Sequence, residues 1–190
     1  MTVSARTDAR TRILDTATAL FYRHGINNVG IDAVIAQSGV AKMTLYRHFP
    51  SKDALVLAFL EKMNADWSAW LRARVKASRR PRRTRPLAVF DALGEWFRTP
   101  EFRGCPFIST AAEIRDPEHP AYRAAWNFKR ELRDYLAELL REAGRADANT
   151  LADQFLLLAD GAIVRAAMSG GPEAATGARA VAELLLSREA

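Results

Sequence analysis

Cysteine is nearly absent from this 190-residue chain: Cys105 stands alone, so no disulfide can form within one copy. Long apolar runs are missing too, and none approaches the roughly 18–20 residues that span a bilayer. The opening stretch MTVSARTDARTR has no apolar segment of the kind a secretory leader carries. A soluble, cytoplasmic chain with no membrane partner is expected. The sequence has no glycine-rich phosphate loop, no Gly-x-Ser-x-Gly elbow, no His-Glu-x-x-His and no cysteine pair at metal spacing. His24, His48 and His119 fall in three separate stretches, none with a second ligand type at metal-binding spacing. Glu113, Asp116 and Glu118 gather around one turn. Paired carboxylates can do acid–base work, but a solvated loop is the commoner explanation of such a cluster. These absences point away from an enzyme, a resident metal and a cofactor.

What is present is a basic, ordinarily apolar chain. Its formal net charge is +6 and its hydrophobic fraction 49%, enough for a real core in one or two domains. A basic balance favours an anionic partner, although weakly by itself. Arginine far outnumbers lysine, and a GC-rich coding bias accounts for much of that surface arginine.

The chain is organised around residues 31–49, IDAVIAQSGVAKMTLYRHF. The pattern predicts two short helices across a tight turn. Ile31, Val34 and Ile35 face inward on the first, Gly39 supplies the turn and Val40 plugs it. On the second, Leu45 and Phe49 are four apart and share the buried face. Lys42, Thr44, Tyr46, Arg47 and His48 are left pointing elsewhere. Such a helix suits a DNA major groove. A hairpin of helices with a merely solvated polar face has the same local pattern.

Residues 7–24 read as the first helix, with Ile13, Ala17, Leu20, Phe21 and His24 on one face and Gly25 as its stop. Arg6, Arg10 and Arg12 at its open end are equally a DNA-backbone contact and a solvated, frayed end. Ser51 is a good N-cap for a long amphipathic helix towards Lys76, with Asp53 in its first turn. The free N–H groups there, with Lys52, can hold a phosphate. Residues 78–86, SRRPRRTRP, read as an interhelical loop that is also basic enough to brush nucleic acid. Further helices are expected over 87–98, in a short stretch opened by Pro106, and over 120–143, 151–169 and 173–187. The fold class is therefore all-α, with about nine helices.

The segment from Gly39 to Leu55, with Phe21-Tyr22-Arg23-His24-Gly25 and Ile35-Ala36 upstream, closely resembles the signature of the TetR family of transcriptional regulators. The match is long and free of gaps. Gly-Cys at 104–105 followed by Ala-Glu at 112–113 and an Asp-Pro…His-Pro loop also resembles one branch of that family. The resemblance implies an N-terminal three-helix, helix-turn-helix DNA-binding domain, residues 1–52, and a C-terminal ligand-binding and dimerisation bundle, residues 53–190. The implied partners are double-stranded DNA with a palindromic operator, a small-molecule effector and a second copy of the chain. Gly30 departs from the pattern, since Thr or Ser is usual there to cap the second helix and touch a phosphate. Only a backbone N–H remains available at Gly30.

Residue chemistry and the resemblance together assign roles. Gly30, Tyr46 and Lys52 are expected at phosphates, while Lys42, Thr44, Arg47 and His48 are expected at base edges or nearby phosphates. Met43 suits a thymine methyl. Trp96, Phe97, Cys105, Phe107, Ile108, Trp126 and Phe128 are expected along the middle of the bundle, where the family has its effector cavity. Aromatics in that place are by default core, and Cys105 is by default a small buried hydrophobe. The alternative for Cys105 is a thiol that senses electrophiles or oxidants beside a helix start. Phe155, Leu158, Ala159, Ala162, Ile163, Ala166, Val181, Leu184 and Leu185 are expected at a two-fold four-helix interface. The same residues suit packing on their own bundle's core.

Overall fold

A computed structural model describes residues 8–188, and the expectations for Arg6 and Thr7 lie outside the described residues. Among these, the chain is all helical: α1 Ala9–His24, α2 Ile31–Ser38, α3 Lys42–His48, α4 Lys52–Ala77, α5 Ala88–Phe97, α6 Pro106–Ile114, α7 Pro120–Glu142, α8 Ala148–Ser169 and α9 Glu173–Ser187. No helix among the described residues is long and apolar enough to cross a membrane. Residues 78–86 differ from the expected loop. Arg82–Leu87 form a 3₁₀ helix that leads into α5. Pro86 and Leu87 are buried, and Thr84 N–H donates to Pro81 O at 3.0 Å to close its first turn. Burying the apolar end fixes a turn that the arginines alone would leave solvated.

Packing divides the chain into two compact units. Among the described residues, those up to 64 together with 106–126 form one, and 65–105 together with those from 127 onward the other. The packing division thus falls later in α4 than residue 52 and assigns α6 to the first unit.

In the first unit, Ile13, Ala17 and Phe21 recur every four residues along α1 and are buried, as helical periodicity requires. The Phe21 ring meets Phe59 edge to face, with centroids 5.6 Å apart. Val34, Leu45, Phe49 and Leu55 are also buried in this unit. Gly25 takes φ 82°, a conformation that disfavours side chains. A side chain there would also meet Glu113, whose Oε1 lies 2.9 Å from the Cβ position. Glu113 Oε2 accepts the Asn27 N–H at 2.7 Å, and the Asn27 side-chain amide donates to Glu113 O at 3.3 Å. The loop entering α2 is therefore held by α6, 86 residues further along the chain.

In the second unit, α8 and α9 pack along one another and α5 packs on both. Phe90 and Phe155 meet edge to face at 5.5 Å. α9 passes close to α5 at Gly94, where a Cβ would stand in ordinary contact with Ala175, 3.4 Å away. Lys129 Nζ reaches Asp160 at 2.5 Å, pairing α7 with α8 in a largely buried place. Removing one partner of such a pair strands the other's charge.

Candidate nucleic-acid interface

The two helices of residues 31–49 lie as the pattern requires. Gly39 adopts φ 65°, ψ 31° after α2, and its N–H donates to Ile35 O at 3.1 Å. That left-handed residue ends α2 and turns the chain into α3. Thr44 and Leu45 N–H groups both donate to Ala41 O, at 2.9 and 3.2 Å, which opens α3. Leu45 is fully buried and Phe49 nearly so. They hold α3 against α1 and α2 and fix which side faces out.

The outward side carries Lys42, Met43, Tyr46 and Arg47, all exposed, with Thr44 and His48 half-buried beside them. Met43 is 80% exposed, a large apolar side chain with nothing of its own protein to cover it. Two features were not legible from the sequence. Asp32 on α2 lies 3.9 Å from Lys42 Nζ across the turn, so an acidic group stands beside the start of α3. The Arg10 guanidinium lies 5.1 Å from the centre of the Phe49 ring, which holds this α1 side chain against the end of α3.

Two helix starts complete the surface. Ser51 Oγ accepts the Ala54 N–H at 3.1 Å, the N-cap expected from the sequence. Lys52 is the first residue of α4 and is half-buried. Gly30 sits in extended conformation (φ −81°, ψ 157°) before α2, and no atom lies within 4 Å of where its Cβ would be. A Cβ at Gly30 therefore meets no neighbour. Gly30→Thr is expected to stabilise α2 by a few tenths of a kcal/mol through its hydroxyl. It should also tighten DNA binding by up to about tenfold through one added phosphate contact. Thermal melting and a mobility-shift titration check the two effects.

The stretch 13–59 matches the family model described as bacterial regulatory proteins, tetR family. Residues 83–182 match the model of the tetracyclin repressor-like C-terminal domain. The chain belongs to the TetR family. A TetR-family regulator from Streptomyces coelicolor, SCO4454, superposes with a TM-score of 0.86 at 35% identity, over 94% of each chain. The regulator YjdC of Escherichia coli K12 is 26% identical over 156 residues, 82% of both proteins. The E. coli K12 repressor NemR is 26% identical over 110 residues, 57% of this chain and 55% of its own. The crystal structure of reduced NemR shares the fold, with a TM-score of 0.83 at 23% identity, over 93% of this chain and 96% of that one. The protein is a DNA-binding transcriptional regulator and not an enzyme, as its families and relatives are.

The TetR C-terminal residues singled out in the sequence fall into different places. Trp96, Phe97 and Phe128 join one aromatic cluster with Trp67 and Phe102. Trp67 lies 5.9 Å from Trp96 and 5.5 Å from Phe128, and Trp96 and Phe97 each lie 4.9 Å from Phe102. The Trp67 Nε1 atom is buried there with no acceptor among the described residues. Cys105 is buried in the second unit, while Phe107 is buried and Ile108 half-buried in the first. Trp126 departs from the expected interior position, being 61% exposed. Helical register is the reason: Ala121, Ala125, Phe128 and Leu132 form the buried face of α7, and Trp126 shares the other side with exposed Arg123 and Arg130.

Residues expected at the dimer interface divide similarly. Phe155, Ala159, Ala162, Ile163 and Ala166 are buried within their own protomer. Leu158 and Leu185 are half-buried. The open side of α8 carries Leu157, Gly161, Val164 and Met168, spaced four, three and four apart, with Leu157 73% and Met168 85% exposed. On α9, Val181 and Leu184 are exposed. Because α8 is apolar on most of its circumference, its sequence alone did not tell the covered side from the open one.

Proposed function

We propose that this TetR-family chain is a ligand-responsive repressor that binds an inverted-repeat operator as a homodimer. The observation that carries the reading is the outward face of α3, where Lys42, Met43, Tyr46 and Arg47 stand exposed over a buried Leu45. Lys52, Tyr46 and the helix-start N–H groups at Gly30 and Ser51 bind phosphates, with Thr44 and His48 at the edge of the contact. Arg47 and Lys42 reach base edges, and Met43 a thymine methyl. Lys42 leaves its exposed pairing with Asp32 at little cost to do so.

The exposed stripes of α8 and α9 support a two-fold partner, because monomeric soluble proteins seldom leave such apolar rows open. A dimer sets two α3 helices about 34–36 Å apart, one turn of DNA. The names of the C-terminal family model and of NemR support repression over activation. The effector is a small, apolar or aromatic molecule held in the C-terminal bundle around Trp96, Phe97 and Phe128. A carbonyl or hydroxyl on it gives Trp67 Nε1 its missing acceptor. Effector binding shifts the population towards dimers with wrongly spaced recognition helices, by no more than its differential affinity for the two states. The thiol-sensing alternative has less support, because Cys105 is buried and a reactive thiolate needs access.

Footprinting on DNA flanking the gene tests the reading. Two protected half-sites one helical turn apart, released by a compound from an aromatic panel, are expected. A single protected half-site, or protection that no compound and no oxidant relieves, contradicts it.

A further inference from the structure

A cleft of about 760 Å³ opens between the 3₁₀ helix Arg82–Leu87, the α7–α8 turn and the end of α9, all within the second unit. We propose that this cleft is a second ligand site, for a small phosphate-bearing anion. The volume suits a metabolite-sized molecule. Arg83, Arg145 and Arg188 line it, with Glu183 as the carboxylate among the described lining residues.

The charges there are not equivalent. Glu183 is within 3.9 Å of Arg179, which offsets it. Arg145 is committed to the protein itself. Its Nε and Nη2 donate to the two Asp147 oxygens, each at 2.8 Å, and its Nη1 donates to Leu186 O at 2.8 Å and to Arg188 O. Hydrogen bonding from Arg145 holds the Asp147 carboxyl below its ordinary range, so this pair stays charged. Four of the five guanidinium N–H groups are thus used, and one on Nη2 is left over. The carbonyls that Arg145 takes up belong to the end of α9, where the helix dipole would otherwise repel an anion. Two further arginines, Arg83 and Arg188, line the same cleft. Arg83 and Arg188 are exposed, and neither makes an ion pair among the described residues. Planar guanidinium groups take phosphate oxygens in pairs. Two unpaired arginines and a spare N–H lining a metabolite-sized cleft match a di- or triphosphate group.

This site is separate from the DNA-binding face and does not rest on the repressor reading. Calorimetric titration of the full chain with inorganic tripolyphosphate tests it. Saturable binding at one site per protomer is expected. Arg83→Ala and Arg188→Ala, both at exposed positions, should each weaken it about tenfold by removing one charged contact. Arg130→Ala on α7, outside the cleft, and Lys52→Ala on the DNA-binding face should leave it unchanged. Absence of saturable binding overturns the proposal. So does equal weakening by Arg130→Ala, which would mean charge alone, or loss on Lys52→Ala, which would place the anion on the DNA-binding face. Displacement of tripolyphosphate by a random DNA duplex in the Lys52→Ala protein would make the occupant nucleic acid and also overturn it.

Discussion

Phe21→Ala is expected to cost about 3–5 kcal/mol of folding stability, and to remove DNA binding without touching a DNA-facing residue. Phe21 is 3% exposed and its ring meets Phe59 edge to face at 5.6 Å. Truncation removes both the transfer free energy of the ring and that paired contact, and leaves a cavity in the core of the unit. Whole domains are stable by only about 5–15 kcal/mol, so a loss of this size leaves the first unit marginal. Because Phe21 holds α1 while α1 packs on α2 and α3, the recognition helix loses its backing at the same time. Chemical denaturation and a mobility shift on the same variant check both effects. A variant with full stability would mean that this core tolerates collapse around the missing ring.

Met168→Asp combined with Leu184→Asp is expected to give a folded monomer whose operator affinity is lower by about a hundredfold or more. Both side chains are mostly exposed, 85% and 68%, so the protomer loses little by the change. Across a proposed two-fold interface, four carboxylates would replace four apolar side chains and be buried against one another, which costs several kcal/mol. A monomer reads one half-site only, and linking two half-sites raises affinity by roughly 10²–10⁴. The buried residues Ala159 and Ala166 behave differently. Charged substitutions there should unfold the protomer rather than separate it. Sedimentation with circular dichroism distinguishes a folded monomer from an unfolded chain.

The contrast between these two predictions shows what was readable in the sequence. The helix-turn-helix was legible because its determinants are local. Gly39 marks a left-handed turn, Leu45 and Phe49 are four apart, and Ser51 announces the next helix. All three signals lie within a dozen or so residues and were found where expected. The 3₁₀ helix at Arg82–Leu87 is not legible locally, because prolines and arginines read as loop, while the burial of Leu87 depends on what packs against it. Trp126 reads as interior because aromatics usually are, although its register beside Ala125 and Phe128 puts it on the outer side. On α8, apolar residues surround most of the helix, so periodicity could not choose a face, and only the packing of α9 and α5 did so. The Asp32–Lys42 pair, and the Glu113 contact to Asn27 across 86 residues, are tertiary facts with no sequence period.

The central claim is that the outward face of α3 and the start of α4 read duplex DNA. Its most direct measurement is a mobility-shift titration on the DNA flanking the gene at two salt concentrations, with the wild-type chain, Arg47→Ala and Lys52→Ala side by side. The account predicts specific, salt-sensitive binding by the wild type. Lys52→Ala should weaken all sequences alike and flatten the salt dependence by about one phosphate, whereas Arg47→Ala should lose specificity. Sequence-blind binding by the wild type, or an unchanged salt slope in Lys52→Ala, would contradict it.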